Sequence, residues 1–134
     1  MGFSVKITIP SDTRYLAPMR GLIAAIGKIE GRKRFSRRAQ IACTLALIEA
    51  IDNAIFHAHG HSRAMPISVE VTIERALVKM TVIDRGPGLD HPSIHAPNLN
   101  ATKGRGLYMM DRLMDSVESI MSHRGHELIL KMNI

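Results

Sequence analysis

Two polar residues of different chemistry, Glu49 and Asn53, lie one helical turn apart in the apolar stretch ALIEAIDNAIFHAHG. At helical spacing the alanines and isoleucines fill an arc of about 160°, and both polar residues align with His57 along its edge. A carboxylate can accept a proton from a nucleophile, and an amide oxygen is a hard, neutral ligand suited to Mg²⁺. The stripe also fits the solvated edge of an ordinary amphipathic helix, so the pair alone does not decide between these interpretations.

A second polar group follows an alternating apolar segment, where Asp84 begins the sequence DRGPG. Its carboxylate is expected at the mouth of the loop that follows the strand, where Gly86 and Gly88 permit close approach to the backbone. Taken alone, this short pattern is also typical of a plain turn.

The same loop ends in KGRGL, which places Gly104 and Gly106 at the start of a predicted helix. Free N–H groups and the positive end of the helix dipole favour an anion such as phosphate there, and Lys103 and Arg105 add donors. The sequence has neither the Gly-Lys-Ser/Thr of a P-loop nor a Gly-Xaa-Gly-Xaa-Xaa-Gly opening a βαβ unit. Two common nucleotide-binding folds are therefore excluded.

The elements that must position these residues follow from the apolar spacing, which alternates in strands and recurs every three or four residues in helices. Ser36 is the predicted N-cap of the second helix, and Gly60 is its predicted end. The predicted elements are a strand at 3–9, helices at 13–31 and 37–59, a hairpin at 66–74 and 76–84, a long loop, a helix at 107–115 and a hairpin at 116–122 and 126–134. This order favours an α+β fold, a two-layer sandwich with three helices on one face of a mixed, mostly antiparallel sheet.

Length and composition indicate a single domain over residues 1–134, because 46% of the 134 residues are apolar. We find no run of about 18 apolar residues that would span a membrane, and the first residues lack the layout of a signal peptide. We therefore expect a cytoplasmic protein that does not bind a membrane. The only cysteine of the sequence, Cys43, falls inside the apolar arc and is expected to be buried.

The net charge of +6 raises nucleic acid as a partner, but the charge is unevenly distributed. Five of the eighteen Lys and Arg residues fall in the basic segment, residues 32–38, while aromatic residues make up only 4% of the chain. Since no basic and aromatic residues alternate to form a stacking platform, we expect no direct contact with nucleic acid. The basic segment instead predicts docking of an acidic protein, against the alternative that its charge only keeps the protein soluble.

The three motifs EAIDNAIFHA, DRGPG and KGRGL occur in an order that resembles the N box and the two glycine boxes of the GHKL superfamily. This superfamily comprises gyrase, heat-shock chaperone, histidine kinase and MutL ATPases. Within it, NAIFHA and GRGLYMMDRLMD most resemble the stand-alone bacterial anti-sigma factor serine kinases. The resemblance covers nearly the whole chain and implies a histidine kinase-like ATPase domain with the Bergerat-type ATP-binding fold.

The resemblance and the side-chain chemistry together imply a role for each residue. Glu49 would accept the proton of an attacking hydroxyl, and Asn53 would hold Mg²⁺. Asp84 would accept a hydrogen bond from the adenine amino group and repel the carbonyl that guanine presents at the same place. The residues implied in binding ATP are Asn53, Asp84, Gly86, Gly88, Lys103, Gly104, Arg105, Gly106 and Leu107.

The histidines receive simpler interpretations. A metal site at HAHGH is disfavoured, because Gly60 is expected to break the helix among His57, His59 and His61. His57 is expected to support the N box. The remaining histidines are expected in solvated loops or turns: His91, His95, His123 and His126.

The function implied by the resemblance is that of an ATP-dependent protein serine kinase. Its substrate would be an anti-sigma-factor antagonist, and it would also sequester a sigma factor and form a homodimer. The alternative is an ATP-gated binding module that transfers no phosphate and acts only by holding or releasing a partner. The presence of Glu49 disfavours this alternative.

Overall fold

The computed structural model describes residues 2–60, 62, 64–86 and 105–134, with His57 and Arg105 described by their backbone alone. The strands are β1 (Phe3–Pro10), β2 (Pro66–Glu74), β3 (Leu77–Asp84), β4 (Ser116–Ser122) and β5 (Gly125–Asn133). The helices are α1 (Leu16–Glu30), α2 (Arg37–Asn53) and α3 (Arg105–Leu113). A 3-10 turn, Thr13–Tyr15, precedes α1, and a π-helical turn, Ala54–Ala58, follows α2.

The strands form one sheet in the order β1-β2-β3-β5-β4, and neighbouring strands pair antiparallel throughout the described residues. The expected α+β class is confirmed, and the sheet, expected to be mixed but mostly antiparallel, is antiparallel at every strand pair of the described residues. The reason lies in the last hairpin: the chain enters β4 at the edge and returns as β5 beside β3, so each strand runs against its neighbour.

The helices share one hydrophobic core with one face of the sheet. Ile23 of α1, Ile51 of α2 and Met110 of α3 are buried in the same cluster as Val69 and Met80 of the sheet. Alternation along β2 explains its side of this core, because every second residue from Ile67 to Ile73 is buried.

The central helix α2 begins as its sequence predicts. Ser36 is the N-cap, and its side chain accepts a hydrogen bond from the backbone N–H of Ala39 at 3.2 Å. The predicted core face is buried, and burial raises the pKa of the Cys43 thiol to about 12. Cys43 is therefore a small buried apolar residue, as expected.

Three predicted helix boundaries need correction. The helix expected over 37–59 is α2 followed by the π-helical turn, in which His59 N–H bonds to the carbonyl of Ala54 at 3.0 Å. The helix expected over 13–31 begins with a 3-10 turn, and the helix expected over 107–115 lies two residues earlier, as Arg105–Leu113. Local propensity does not fix such ends, because they depend on tertiary contacts.

The stretch Arg37–Phe56 has the length and apolar composition to cross a membrane, with a mean hydropathy of 1.4. The sequence pattern had indicated no apolar run of this length. In the fold this stretch contains α2, whose Leu47 and Ile51 are enclosed by the common core. A single helix of this kind is weak evidence for a membrane span, because the core helix of a soluble domain meets the same criterion.

Candidate functional site

The fold brings Gly106, which belongs to the third motif and lies in the first turn of α3, against the polar edge of α2. A Cβ atom added to Gly106 would lie 3.0 Å from Glu49 Oε2 and 3.3 Å from Asn53 Oδ1. Any larger residue would press on both side chains, so glycine is what lets the start of α3 approach them. The carboxylate, the carboxamide and a helix N-terminus thus meet at one place.

The acidic side chains at this edge are held in an environment that favours their neutral form. Burial, followed by the charge of Asp52, raises the pKa of Glu49. Burial also raises the pKa of Asp52, against the opposing effect of Arg20 on α1. A carboxylate with a raised pKa is a stronger proton acceptor, so the environment of Glu49 suits the role of a base.

Asp52 differs from its neighbours in one respect. Its Oδ1 atom is buried and accepts no hydrogen bond within the described part of the chain. A buried carboxylate oxygen without a donor is costly, and such atoms mark places where a ligand or water supplies the missing partner.

Asp84 lies at the opposite end of the site, buried at the end of β3. Its Oδ1 accepts the backbone N–H of Gly86 at 2.8 Å, and its Oδ2 lies 3.1 Å from His126 Nδ1. A Cβ atom added to Gly86 would lie 2.4 Å from the Cβ of Ala58, so only glycine fits against the π-helical turn. This contact joins the DRGPG motif to the segment that follows Asn53.

His59 holds the same turn from the other side. Its Nε2 accepts the backbone N–H of Arg85 at 2.8 Å, and its Nδ1 lies 2.5 Å from Ser11 Oγ. Because Nε2 accepts, Nδ1 carries the proton and donates to Ser11, whose hydroxyl donates to the carbonyl of Met65. Burial lowers the pKa of His59, although the charge of Asp84 opposes this effect. The burial therefore favours the neutral ring.

The structure gives one histidine a role that the sequence did not predict and contradicts the prediction for another. His59, for which only a metal site was weighed and disfavoured, is a buried hydrogen-bonding residue. His126 was expected in a solvated turn, and it is buried against Asp84. Alternation along β5 could have indicated this, because residues 126, 128 and 130 share the face that packs under the helices.

The structure leaves part of the expected site undescribed. Gly88, Lys103 and Gly104 lie outside the described residues, and only the backbone of Arg105 is described, as the first residue of α3. The side chain of Leu107 is buried in the core, so its backbone is the part left for the predicted contact with ATP. The expected support of the N box by the His57 side chain also lies outside the description.

Comparison with known proteins decides the family. The family model described as a histidine kinase-like ATPase domain matches residues 9–132. The chain belongs to this family. The order of elements is the one predicted from the sequence together with the resemblance to this family.

Curated relatives give a narrower similarity. Proteins named anti-sigma F factor from Bacillus thuringiensis, Bacillus mycoides and Bacillus anthracis are 33% identical to this histidine kinase-like ATPase domain over 78 residues. The match covers 54% of this chain and 53% of each relative. The chain therefore spans about half the length of the curated relatives that it matches.

Two solved structures share the fold. The RsbU and RsbW domains of a Mycobacterium tuberculosis protein match with a TM-score of 0.65 and 16% identity, covering 98% of this chain and 32% of that one. The histidine kinase domain of a blue-light activated kinase from Erythrobacter litoralis matches with a TM-score of 0.56 and 17% identity, covering 93% and 61%. At these identities the similarity establishes the fold of the histidine kinase-like ATPase domain alone.

Proposed function

We propose that this protein is an ATP-dependent protein serine kinase and anti-sigma factor. It binds Mg²⁺ and ATP, phosphorylates an anti-sigma-factor antagonist and sequesters a sigma factor. The observation that carries the proposal is the approach of Gly106, at the start of α3, to Glu49 and Asn53. This arrangement brings a carboxylate, an amide oxygen and a helix N-terminus together, which supports roles in proton acceptance, metal binding and phosphate binding, and similarity to the anti-sigma F factors supports the choice of partners.

The residues present fit Mg²⁺ and ATP. Among the described residues there is no group of three His, Cys, Asp or Glu side chains that could hold a metal ion. Mg²⁺ usually keeps several waters and takes further ligands from phosphates, so the amide oxygen of Asn53 would complete its shell. When bound, the ion would neutralise charge on the phosphates.

Phosphoryl transfer asks mainly for positioning and for one base. The serine oxygen of the substrate attacks the γ-phosphorus, the bond from that phosphorus to the β,γ-bridging oxygen breaks, and ADP leaves. Glu49 accepts the proton of the serine hydroxyl, a role for which its raised pKa suits it. Asp84 accepts from the adenine amino group.

The phosphate end of the nucleotide would lie at the start of α3. The backbone N–H groups of Arg105, Gly106 and Leu107 are at the positive end of this helix, where an anion is favoured. Gly88, Lys103 and Gly104 remain predicted nucleotide-binding residues on the grounds of their motifs.

Transfer of labelled phosphate tests the proposal directly. We would incubate the protein with radiolabelled ATP, Mg²⁺ and candidate antagonist proteins from the same genome, with Glu49→Gln as the matched control. We expect label on a serine of one antagonist with wild type and labelling slower by about 100-fold or more with the variant. ATP-dependent partner binding without labelled serine would instead establish the alternative, an ATP-gated binding module.

The assembly and location of the protein follow from the same proposal. We expect a homodimer, as the family resemblance implies, and a cytoplasmic location, because a sigma factor acts on transcription there. Sedimentation equilibrium of the purified protein checks the dimer, and a single monomeric species across micromolar concentrations would exclude it.

A further inference from the structure

Three side chains form a hydrogen-bonded line across the strands at one end of the sheet. His126 Nδ1 lies 3.1 Å from Asp84 Oδ2, and His126 Nε2 lies 2.6 Å from Ser119 Oγ. Asp84 and His126 are directly opposite in the pairing of β3 with β5, and both are buried. The line therefore belongs to the helix-facing side of the sheet, where the site lies.

The chemistry of the partners fixes the direction of each hydrogen bond. An ionised carboxylate only accepts, so the His126 Nδ1–H donates to Asp84 Oδ2. In a neutral imidazole the other nitrogen accepts, so the Ser119 hydroxyl donates to His126 Nε2. With the Gly86 N–H on Oδ1, both oxygens of Asp84 have a donor, and the plane of the carboxylate is fixed.

We propose that His126 is a positioning residue for nucleobase selection, holding the Asp84 carboxylate in the orientation that accepts from adenine and repels guanine. This inference rests on the proposed function, in which Asp84 contacts the purine. A carboxylate that loses one of its two donors can rotate. A rotated carboxylate no longer presents a fixed oxygen to the purine, so the discrimination between the adenine amino group and the guanine carbonyl falls.

The chain offers a matched pair of variants at this position. The side-chain amide of Asn reaches the place of Nδ1, so His126→Asn keeps a donor to Asp84. The amide of Gln reaches the place of Nε2, so His126→Gln keeps only the partner of Ser119. His126→Leu removes both, and Asp84→Asn serves as the control that removes the carboxylate itself.

The experiment measures dissociation constants for ATP and GTP with each variant. We expect wild type and His126→Asn to prefer ATP, and His126→Gln and His126→Leu to lose about tenfold or more of that preference, as befits a lost hydrogen bond to a charged group. Thermal unfolding shows which variants are folded, and the Asn and Gln variants decide the question if the Leu variant is not.

The outcomes separate the two proposals. If wild type prefers ATP and Asp84→Asn loses the preference while both His126→Gln and His126→Leu keep it, the role of His126 is overturned and the proposed function stands. If wild type binds no ATP, or binds ATP and GTP equally, the assignment of Asp84 to adenine fails and the role of His126 fails with it. A merely structural histidine would change stability without changing the ratio of the two affinities.

Discussion

The carboxylates at the two ends of the site are placed in different surroundings. Asp84 is buried with a protein donor on each oxygen, from Gly86 and His126. Glu49 is partly buried, and its pKa is raised first by burial and then by the nearby charge of Asp52. The protein therefore supplies hydrogen-bond donors to the Asp84 carboxylate, whereas the surroundings of Glu49 raise its affinity for a proton.

This difference matches the two tasks that we propose for these carboxylates. A recognition group works best when its geometry is set before the ligand arrives, which is what the donors around Asp84 achieve. A base must accept a proton during the reaction, so protein donors that stabilise its charged form would weaken it. Near Glu49 such donors are scarce, since the buried Oδ1 of the neighbouring Asp52 has no donor among the described residues.

The largest expected effect is at Glu49, the proposed base. Glu49→Gln should lower the rate of phosphate transfer by about 10²- to 10⁴-fold, because it removes the general base at nearly constant size. Affinity for ATP should change little. Single-turnover transfer and calorimetric titration with ATP measure the two quantities, and transfer at near wild-type rate would show that Glu49 is not an essential base.

A smaller effect is expected one helical turn away. Asn53→Ala should weaken nucleotide binding in the presence of Mg²⁺ by about tenfold or more, on the scale of lost interactions around metal sites. Binding measured in a chelator should be nearly unchanged. Equal losses with and without Mg²⁺ would mean that Asn53 contacts the nucleotide and not the metal.

The next effect is expected near Asp84, where His59 should make the stability of the protein depend on pH. The pKa of His59 is lowered in the folded protein, so its contribution is present above the unfolded value of about 6.5 and is lost as pH falls below it. One group changes the free energy of unfolding by at most about 1.4 kcal/mol per pH unit.

His59→Gln cannot titrate and is the matched control. Denaturant unfolding from pH 7.5 to 5.5 should show a steeper loss of stability for wild type than for this variant. The raised pKa values of Glu49 and Asp52 act in the opposite direction, but they are common to both proteins and cancel in the difference. Parallel curves would contradict the neutral, hydrogen-bonded state of His59.

The smallest effect is expected outside both ends of the site. Part of the basic segment lines an open surface pocket of about 400 Å³ between α1 and α2, with Lys28, Arg32 and Arg37 among its lining residues. An acidic partner docking there would associate faster at low salt. The test variant replaces with Gln the five cations Arg32, Lys33, Arg34, Arg37 and Arg38.

This variant should slow association with the partner several-fold and flatten its salt dependence, on the scale of electrostatic steering. ATP affinity should remain unchanged, because both ends of the site are intact. Stopped-flow association across a salt series measures the effect, and unaltered kinetics would return the segment to a role in solubility.

The sequence predicted those features that depend on local chemistry. Alternation predicted the five strands that the described residues form, and the tight link at Arg75 and Ala76 is a hairpin turn with φ values of 50° and 62° at those residues. The caps at Ser36 and Gly31 were also predicted. Each of these depends on residues within a few positions of one another.

What the sequence did not predict depends on distant partners. His126 is buried through a contact with Asp84, 42 residues away, and His59 through contacts with Ser11, 48 residues away, and Arg85. Alternation along β5 could indicate that His126 faces the helices, but periodicity within one element carries no information on which residue is its partner. The polar edge of α2 was recognised because its motif lies on one helix, whereas the donors of Asp84 come from another strand and a turn.

The π-helical turn sets the distance and the angle between the end of α2 and His59, and both depend on the number of residues in the turn. It closes with the bond from His59 N–H to the carbonyl of Ala54, one residue wider than an α-helical turn. A regular α-helix through the same residues would bond His59 N–H to the carbonyl of Ile55 and would rotate His59 by about 100°. His59 would then leave Arg85, although every chemical group of the site would still be in the chain. The one extra residue of the wide turn therefore sets the direction in which His59 points.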